Sequence, residues 1–260
     1  MKRFRISSTM ILSIVLMPIL LLSWEYWVRS GAVSDTLVAP PSEVAGALWR
    51  AIVHGTMWED IWVTIQEVLL GFLVGGVVGV ISGSILGESV FLDRVLRPYV
   101  VAFQSIPKIA LAPLIVIWLG YDLASKVAIA STIAFFPVLI NTLAGIRATP
   151  TDQIELMTAY GGSRWQTFLL VKVPNALPFV FAGLNVAATL AVIGAIVGEF
   201  LGADRGLGYV VLSAGLQLNM GTVFASIVII AIIATVLSGT IQYLERKIIF
   251  WRPQGAAGGN

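Results

Sequence analysis

Inside its long apolar stretches the chain carries three ionisable side chains, Glu67, Lys108 and Glu199, and four amides, Gln66, Gln104, Asn141 and Asn185. An ionisable group placed deep in a bilayer costs a few kcal/mol, so each is a candidate for contact with a solute or for a gate. What these residues offer is hydrogen bonding and charge rather than bond cleavage. A single histidine, His54, and no cysteine remove the usual nucleophile–base pairs, thiolate chemistry, disulfides and an ordinary zinc site. No paired intramembrane aspartates are present, and no G-x-x-x-x-G-K-[ST] loop exists to cradle a nucleotide phosphate. Gln104, Pro107 and Lys108 fall close together, where the proline frees backbone carbonyls. Lys108 either lines a path for an anion or extends its ammonium to the cytoplasmic surface. Glu67 suits a structural hydrogen bond as well as a pore. Glu199 precedes Gly202, Gly206 and Gly208, a loop it can brace as part of an outer gate. Gln104, Lys108, Asn141 and Glu199 are therefore the candidate pathway and gate residues.

A second group of residues lies between the apolar stretches, at 147–176. Thr149 can cap a helix, Pro150 suits its first turn, and Asp152 stands three beyond the cap. This predicts a helix over 150–160 that stops at Gly161-Gly162. Ser163-Arg164-Trp165-Gln166 carries the S-x-x-Q capping-box pattern and predicts a second short helix, ending before Pro174. Two capped helices joined by a glycine turn make a docking surface, to which Glu155 and Arg164 add polar contacts.

The elements that must position these residues are membrane helices. The chain has 260 residues, 58% of them hydrophobic and 12% charged, with a mean hydropathy of +0.92. A soluble domain carries about 25% charged residues, so this chain lacks the polar surface that water requires. Apolar runs at 10–28, 61–86, 99–119, 123–146, 177–201 and 222–244 each suffice, or nearly so, for the ~20 residues of a bilayer-crossing helix. The first run is too long for the core of a cleaved signal and has no small-residue cleavage site after it, so it reads as a retained helix. Helices rather than a barrel satisfy the backbone, because the short alternating segments of a barrel are absent.

With the N-terminus inside, the inner loops carry Lys2, Arg3, Arg5, Arg94, Arg97, Arg147, Arg164, Lys172, Arg246, Lys247 and Arg252. The outer loops carry only Arg29, Arg50, Lys126 and Arg205, so both termini are expected in the cytoplasm. The net charge of +2 leaves no polybasic footprint for nucleic acid. Gly71, Gly75, Gly79 and Gly83, continued by Gly87, recur at every fourth position and let another helix approach closely. Most tryptophans fall at the ends of the runs, as bilayer anchors do. The outer segment 29–60 includes a predicted short surface helix over 43–54.

The 147–176 segment resembles the cytoplasmic signature of permease subunits of binding-protein-dependent ABC importers: E-A-A, three residues, G, nine residues, I-x-L-P. Glu155 is followed by Gly161 at the matching spacing, and Val171-Lys172-Val173-Pro174 stands where I-x-L-P is expected. Leu156-Met157 replace the alanine pair, and valines replace Ile and Leu; these apolar exchanges leave a packing role intact. "IPKIALAPLIVIWLGYDLASKVAI" (106–129), "GADRGLGYVVLSAG" (202–215) and "YLERKIIFWRP" (243–253) are similar to the sulfonate, nitrate and taurine permeases. "LAVIGAIVGEFLG" (190–202) looks nearer to the permeases for thiamine precursors or riboflavin.

The resemblance implies an all-α membrane protein with about six transmembrane helices and a cytoplasmic coupling-helix loop, the type I importer permease fold. It implies a cytoplasmic N-terminus at 1–9, one permease domain over 10–253 with its coupling loop at 147–176, and a flexible tail at 254–260. Glu155, Ala159, Gly161, Ser163, Arg164 and Pro174 are the residues it assigns to coupling. The partners implied are two cytoplasmic ATPase subunits holding ATP and Mg, a second permease copy as a homodimer, and an external solute-binding protein. The chain itself is then non-hydrolytic, without a cofactor, in the bacterial inner membrane. The competing expectation is a self-sufficient secondary transporter, which needs matching interrupted helices in two halves of the chain; no such pair is visible.

Overall fold

The computed structural model describes residues 8–32, 34 and 36–251, with side chains in the first helix from residue 16 onward. The expected tail at 254–260 and all but the last two residues of the expected N-terminal stretch 1–9 lie outside the described residues. Every element among the described residues is helical, in the order α1 (Ser8–Arg29), α2 (Pro41–Val53), α3 (Trp58–Glu88), α4 (Val90–Ser105), α5 (Ala112–Leu119), α6 (Leu123–Arg147), α7 (Thr151–Ala159), α8 (Arg164–Thr167), α9 (Val173–Gly202), α10 (Leu207–Leu216) and α11 (Met220–Ile248).

Four continuous helices are long and apolar enough to cross a membrane: α3, α6, the 39-residue run Arg164–Gly202 that contains α8 and α9, and α11. At 1.5 Å per residue the 22 residues of α1 rise about 33 Å, also enough to cross. The third expected run, 99–119, is not a straight span. α4 and the segment Lys108–Leu119 meet at a bend of 83°. Pro107 lacks an N–H and biases Ile106 away from helical geometry, to φ −71°, ψ 127°. One 3₁₀ turn, Lys108–Leu111, then restarts the chain into α5.

The core is α6 packed between α3 and α9. Lipid gives little hydrophobic drive for helix pairing, so close contact must come from small residues. On α3 the glycine stripe faces α6: a Cβ on Gly75 stands 2.6 Å from the Ser131 carbonyl oxygen, and one on Gly83 stands 2.7 Å from Thr142 Cβ. From α9, Gly183 and Gly194 press on Val138 and Ala130 in the same way. Ala130, Ala134, Val138, Ala187 and Ala191 are fully buried in this seam. α11 flanks α9, and α2 lies against α11 through buried Val44, Ala47 and Ala225.

Candidate functional site

The 147–176 segment stands out from the bundle as an exposed pair of short helices. α7 starts one residue later than expected, with Pro150 as its N-cap, and Thr149 does not cap it. Thr149 is instead buried, and its hydroxyl donates back to the Ile146 carbonyl at 2.9 Å. The C-terminus of α7 closes on glycine. Gly161 takes φ +76°, its N–H donates to Thr158 O at 3.0 Å, and Gly162 N–H donates to Met157 O at 2.8 Å. This is a Schellman turn, which satisfies the last carbonyls of the helix. The capping box at the start of α8 is complete: Ser163 Oγ accepts from Gln166 N–H at 3.2 Å, and Gln166 Oε1 accepts from Ser163 N–H at 2.7 Å.

Glu155, Ala159, Gly161, Ser163 and Arg164 are all exposed on this pair, together with Leu156, Tyr160 and Trp165. Trp165 stacks on Phe168 at 5.6 Å between ring centroids. α8 does not end before Pro174. A π-helical turn at Phe168–Lys172 carries it straight into α9, with Pro174 in the first turn of that helix. The wider turn absorbs the missing N–H of the proline, so the second helix of the pair is continuous with a membrane helix. Behind Trp165 a cavity of about 980 Å³ separates α3 from α9, lined by Glu88, Ser89, Arg164, Phe168 and Val173 among others. Glu88, on its wall, makes an ion pair with Lys172 at 2.7 Å.

At the opposite end of the bundle Glu199 is 1% exposed. Its Oε1 accepts from Thr64 Oγ1 at 2.6 Å, and its Oε2 accepts from Gly208 N–H. Thr64 in turn accepts from Leu207 N–H at 2.8 Å, and Asp60 accepts from Gly206 N–H at 2.9 Å. These acceptors take up the free N–H groups at the start of α10, a short apolar helix. A Cβ at Gly206 or Gly208 would overlap the Glu199 side chain. Glu67, 2% exposed, stands beside this network, its Oε2 without a hydrogen-bond partner among the described residues. Lys126 is buried rather than in a solvated outer loop, its ammonium on the carbonyls of Tyr121 and Gly202.

At the bend between α4 and α5, a cavity of about 440 Å³ is lined by Gln104, Pro107, Lys108, Phe136, Pro137, Ile140 and Leu190. Lys108 Nζ lies 4.7 Å from the centre of the Phe136 ring and donates to Gln104 O at 3.2 Å. The structure thus brings Gln104 and Lys108 to one cavity. Asn141 stands apart from it, its amide donating to Pro137 O at 2.8 Å within α6. Glu199 belongs to the α10 network instead.

The family model for the "binding-protein-dependent transport system inner membrane component" matches residues 75–250, well over half of the chain. The chain belongs to that family. It is a multi-pass inner-membrane permease subunit of an ABC transport system, the family expected from the 147–176 signature. It is 35% identical to the riboflavin transport system permease protein RibX of Chloroflexus aurantiacus, over 91% of this chain and 88% of that one. It is 37% identical to the formylaminopyrimidine transport permease protein ThiX of Halalkalibacterium halodurans, over 75% of this chain and 80% of that one. The taurine transport system permease protein TauC of Escherichia coli is 29% identical over 96% and 92%. In fold the permease resembles a chain of the MetNI methionine ABC transporter in an inward-facing conformation, with a TM-score of 0.66 over 75% of this chain and 98% of that one, at 22% identity.

Some residues of the permease escaped the sequence reading. Asp93, 5% exposed, pairs with Arg97 and Arg147, each at 2.7 Å. The Asp93–Arg97 spacing of one helical turn was the available signal; Arg147 is remote in sequence and gave none. Thr64 was hidden as an ordinary polar residue near the start of a long apolar run.

Proposed function

We propose that this permease is the non-hydrolytic membrane half of an importer, with α7 and α8 as the handle held by a cytoplasmic ATPase that binds ATP and Mg. The observation that carries this reading is the capped, exposed helix pair whose second helix runs on into a membrane helix. Glu155, Ala159, Gly161, Ser163 and Arg164 form its outer surface, and Pro174 lies where it enters α9. Because the backbone stays helical from α8 through the π-helical turn into α9, displacement of the handle moves α9 and, through the glycine contacts, α6 and α3. Glu199 transmits that movement to α10 at the outer end, where a binding protein delivers solute. Gln104 and Lys108 line the pathway, and Asn141 keeps α6 intact beside Pro137.

Two copies related by a two-fold axis form the pathway, each with one ATPase subunit, as closed symmetric assemblies commonly do. The arginine-rich ends of the helices face the cytoplasm, and so do both termini. The solute is a small polar heteroaromatic compound or organic anion. Two features support this: the relatives named for riboflavin and formylaminopyrimidine, and an ammonium lying over an aromatic ring in the cavity at the bend.

The deciding experiment is a mild-detergent pull-down of the tagged chain, with the associated subunits counted by mass spectrometry. Two copies with two ATPase subunits are expected. A chain that emerges alone and takes up solute into liposomes without ATP would replace this reading with a secondary transporter. A reporter fused at residue 158 is expected in the cytoplasm, and an external signal there would reverse the topology.

A further inference from the structure

At the start of α4, beside the end of α6, two arginines pair with one buried carboxylate and a third lines the same pocket. Asp93 Oδ2 takes Arg97 Nη2 at 2.7 Å, Arg97 Nε at 3.1 Å and Arg147 Nη1 at 2.7 Å. Arg147 also reaches the Leu86 carbonyl at the end of α3, at 3.4 Å. Arg94 lines the same pocket, and among the described residues its guanidinium has neither a hydrogen-bond nor an ion-pair partner. Three positive charges against one negative leave a surplus of two in a cavity of about 850 Å³. The other walls are apolar: Val90, Pro98 and Val101.

We propose that this pocket seats the phosphate of an anionic phospholipid. The guanidinium is planar and weakly hydrated, and its fork of donors fits phosphate oxygens. Asp93 fixes two of the three arginines from behind, so little side-chain freedom is lost when a phosphate arrives. Free phosphate shares the same chemistry, but it makes no use of the apolar walls. A lipid does: its headgroup sits among the arginines while an acyl chain runs along Pro98 and Val101 on the same face of α4, with Val101 57% exposed. The pocket lies at the end of the bundle from which α7 and α8 emerge. Its occupant therefore comes from the cytoplasmic leaflet, a point that rests on the orientation proposed above. A lipid held there ties α4 to the ends of α3 and α6, next to the docking pair.

The test is native mass spectrometry of the full chain with its ATPase partners in mild detergent, with phosphatidylglycerol or phosphatidylcholine added. The wild type is expected to retain phosphatidylglycerol several-fold more strongly. Arg94→Gln is expected to lose about fivefold of that preference, the value of one surface arginine toward anionic lipid, and Arg94→Lys to keep most of it. Because Arg94 has no partner among the described residues, these variants leave the Asp93 cluster in place. Equal retention of the two lipids by the wild type overturns the proposal. Displacement of the lipid by millimolar inorganic phosphate makes the pocket a free-anion site instead. Loss of ATPase subunits in Arg94→Gln without a change in lipid retention makes it a protein contact. Binding in detergent does not depend on which way the chain faces the membrane, so failure here is distinct from failure of the topology.

Discussion

Thr64 and Glu199 are 135 residues apart in sequence, yet a 2.6 Å hydrogen bond joins them where α3 and α9 meet at the end of the bundle opposite α7 and α8. The Thr64 hydroxyl donates to the carboxylate and accepts from Leu207 N–H, so one side chain links two membrane helices to the start of α10. Thr64→Val keeps the shape and leaves both the carboxylate and the N–H short of a partner. A buried polar group so orphaned costs about 1–3 kcal/mol. Thermal unfolding of the purified complex is expected to drop by several degrees in Thr64→Val and to recover in Thr64→Ser. An unchanged midpoint in Thr64→Val would make the bridge incidental.

The glycine stripe on α3 gives a graded expectation. Gly83→Ala places a methyl 2.5 Å from the Leu139 carbonyl oxygen, with backbone on one side and Thr142 on the other. Such overpacking costs about 1–3 kcal/mol, because neither helix can yield without losing contacts along its length. Gly239→Ala on α11 meets nothing within 4 Å, so only the better helix propensity of alanine remains. Denaturation of the two variants is expected to move in opposite directions. A Gly83→Ala protein as stable as the wild type would show that α3 and α6 are not locked at this seam.

Features set by local pattern could be read from the sequence: the long apolar runs, the capping box at Ser163–Gln166, and the glycine stop at Gly161. Each depends on residues within one or two turns. The bend at Pro107 escaped because hydropathy averages over the residues it covers and sees no change in direction. The passage of α8 into α9 escaped because a proline was read as a terminator, whereas the π-helical turn before it supplies the room it needs. Glu199 bracing the glycine loop was foreseen, but the Thr64 link in that network and the arginine pocket escaped for a further reason. Their partners, Thr64 with Glu199 and Asp93 with Arg147, meet only after the bundle has formed, and no single-chain periodicity marks them.

The docking pair separates a conformational effect from a contact effect. Gly161 has φ +76° and open space around the position of a Cβ, so Gly161→Ala pays only the left-handed backbone penalty, about 1 kcal/mol. Glu155 is exposed and has no hydrogen-bond or ion-pair partner among the described residues, so Glu155→Ala is expected to leave unfolding unchanged. Both substitutions are expected to reduce copurified ATPase and coupled uptake while membrane insertion stays normal. Normal uptake in both variants would remove the handle assignment.

Lys108 supplies the sharpest test of the pathway. Its ammonium lies over Phe136 and holds the Gln104 carbonyl, which leaves further donor capacity toward the cavity. If that capacity serves a solute with a negative or polar edge, Lys108→Met removes a charge-assisted hydrogen bond worth about 1.5–3 kcal/mol. At solute concentrations below saturation, uptake by reconstituted complexes is then expected to fall at least about tenfold. Lys108→Arg keeps the charge and the ring contact and is expected to retain most of the rate. ATPase activity without solute is the control, since a mere loosening of the bend would alter it in both variants. Equal uptake by Lys108→Met and the wild type would assign the ammonium to capping the break between α4 and α5, and the pathway would have to be drawn elsewhere.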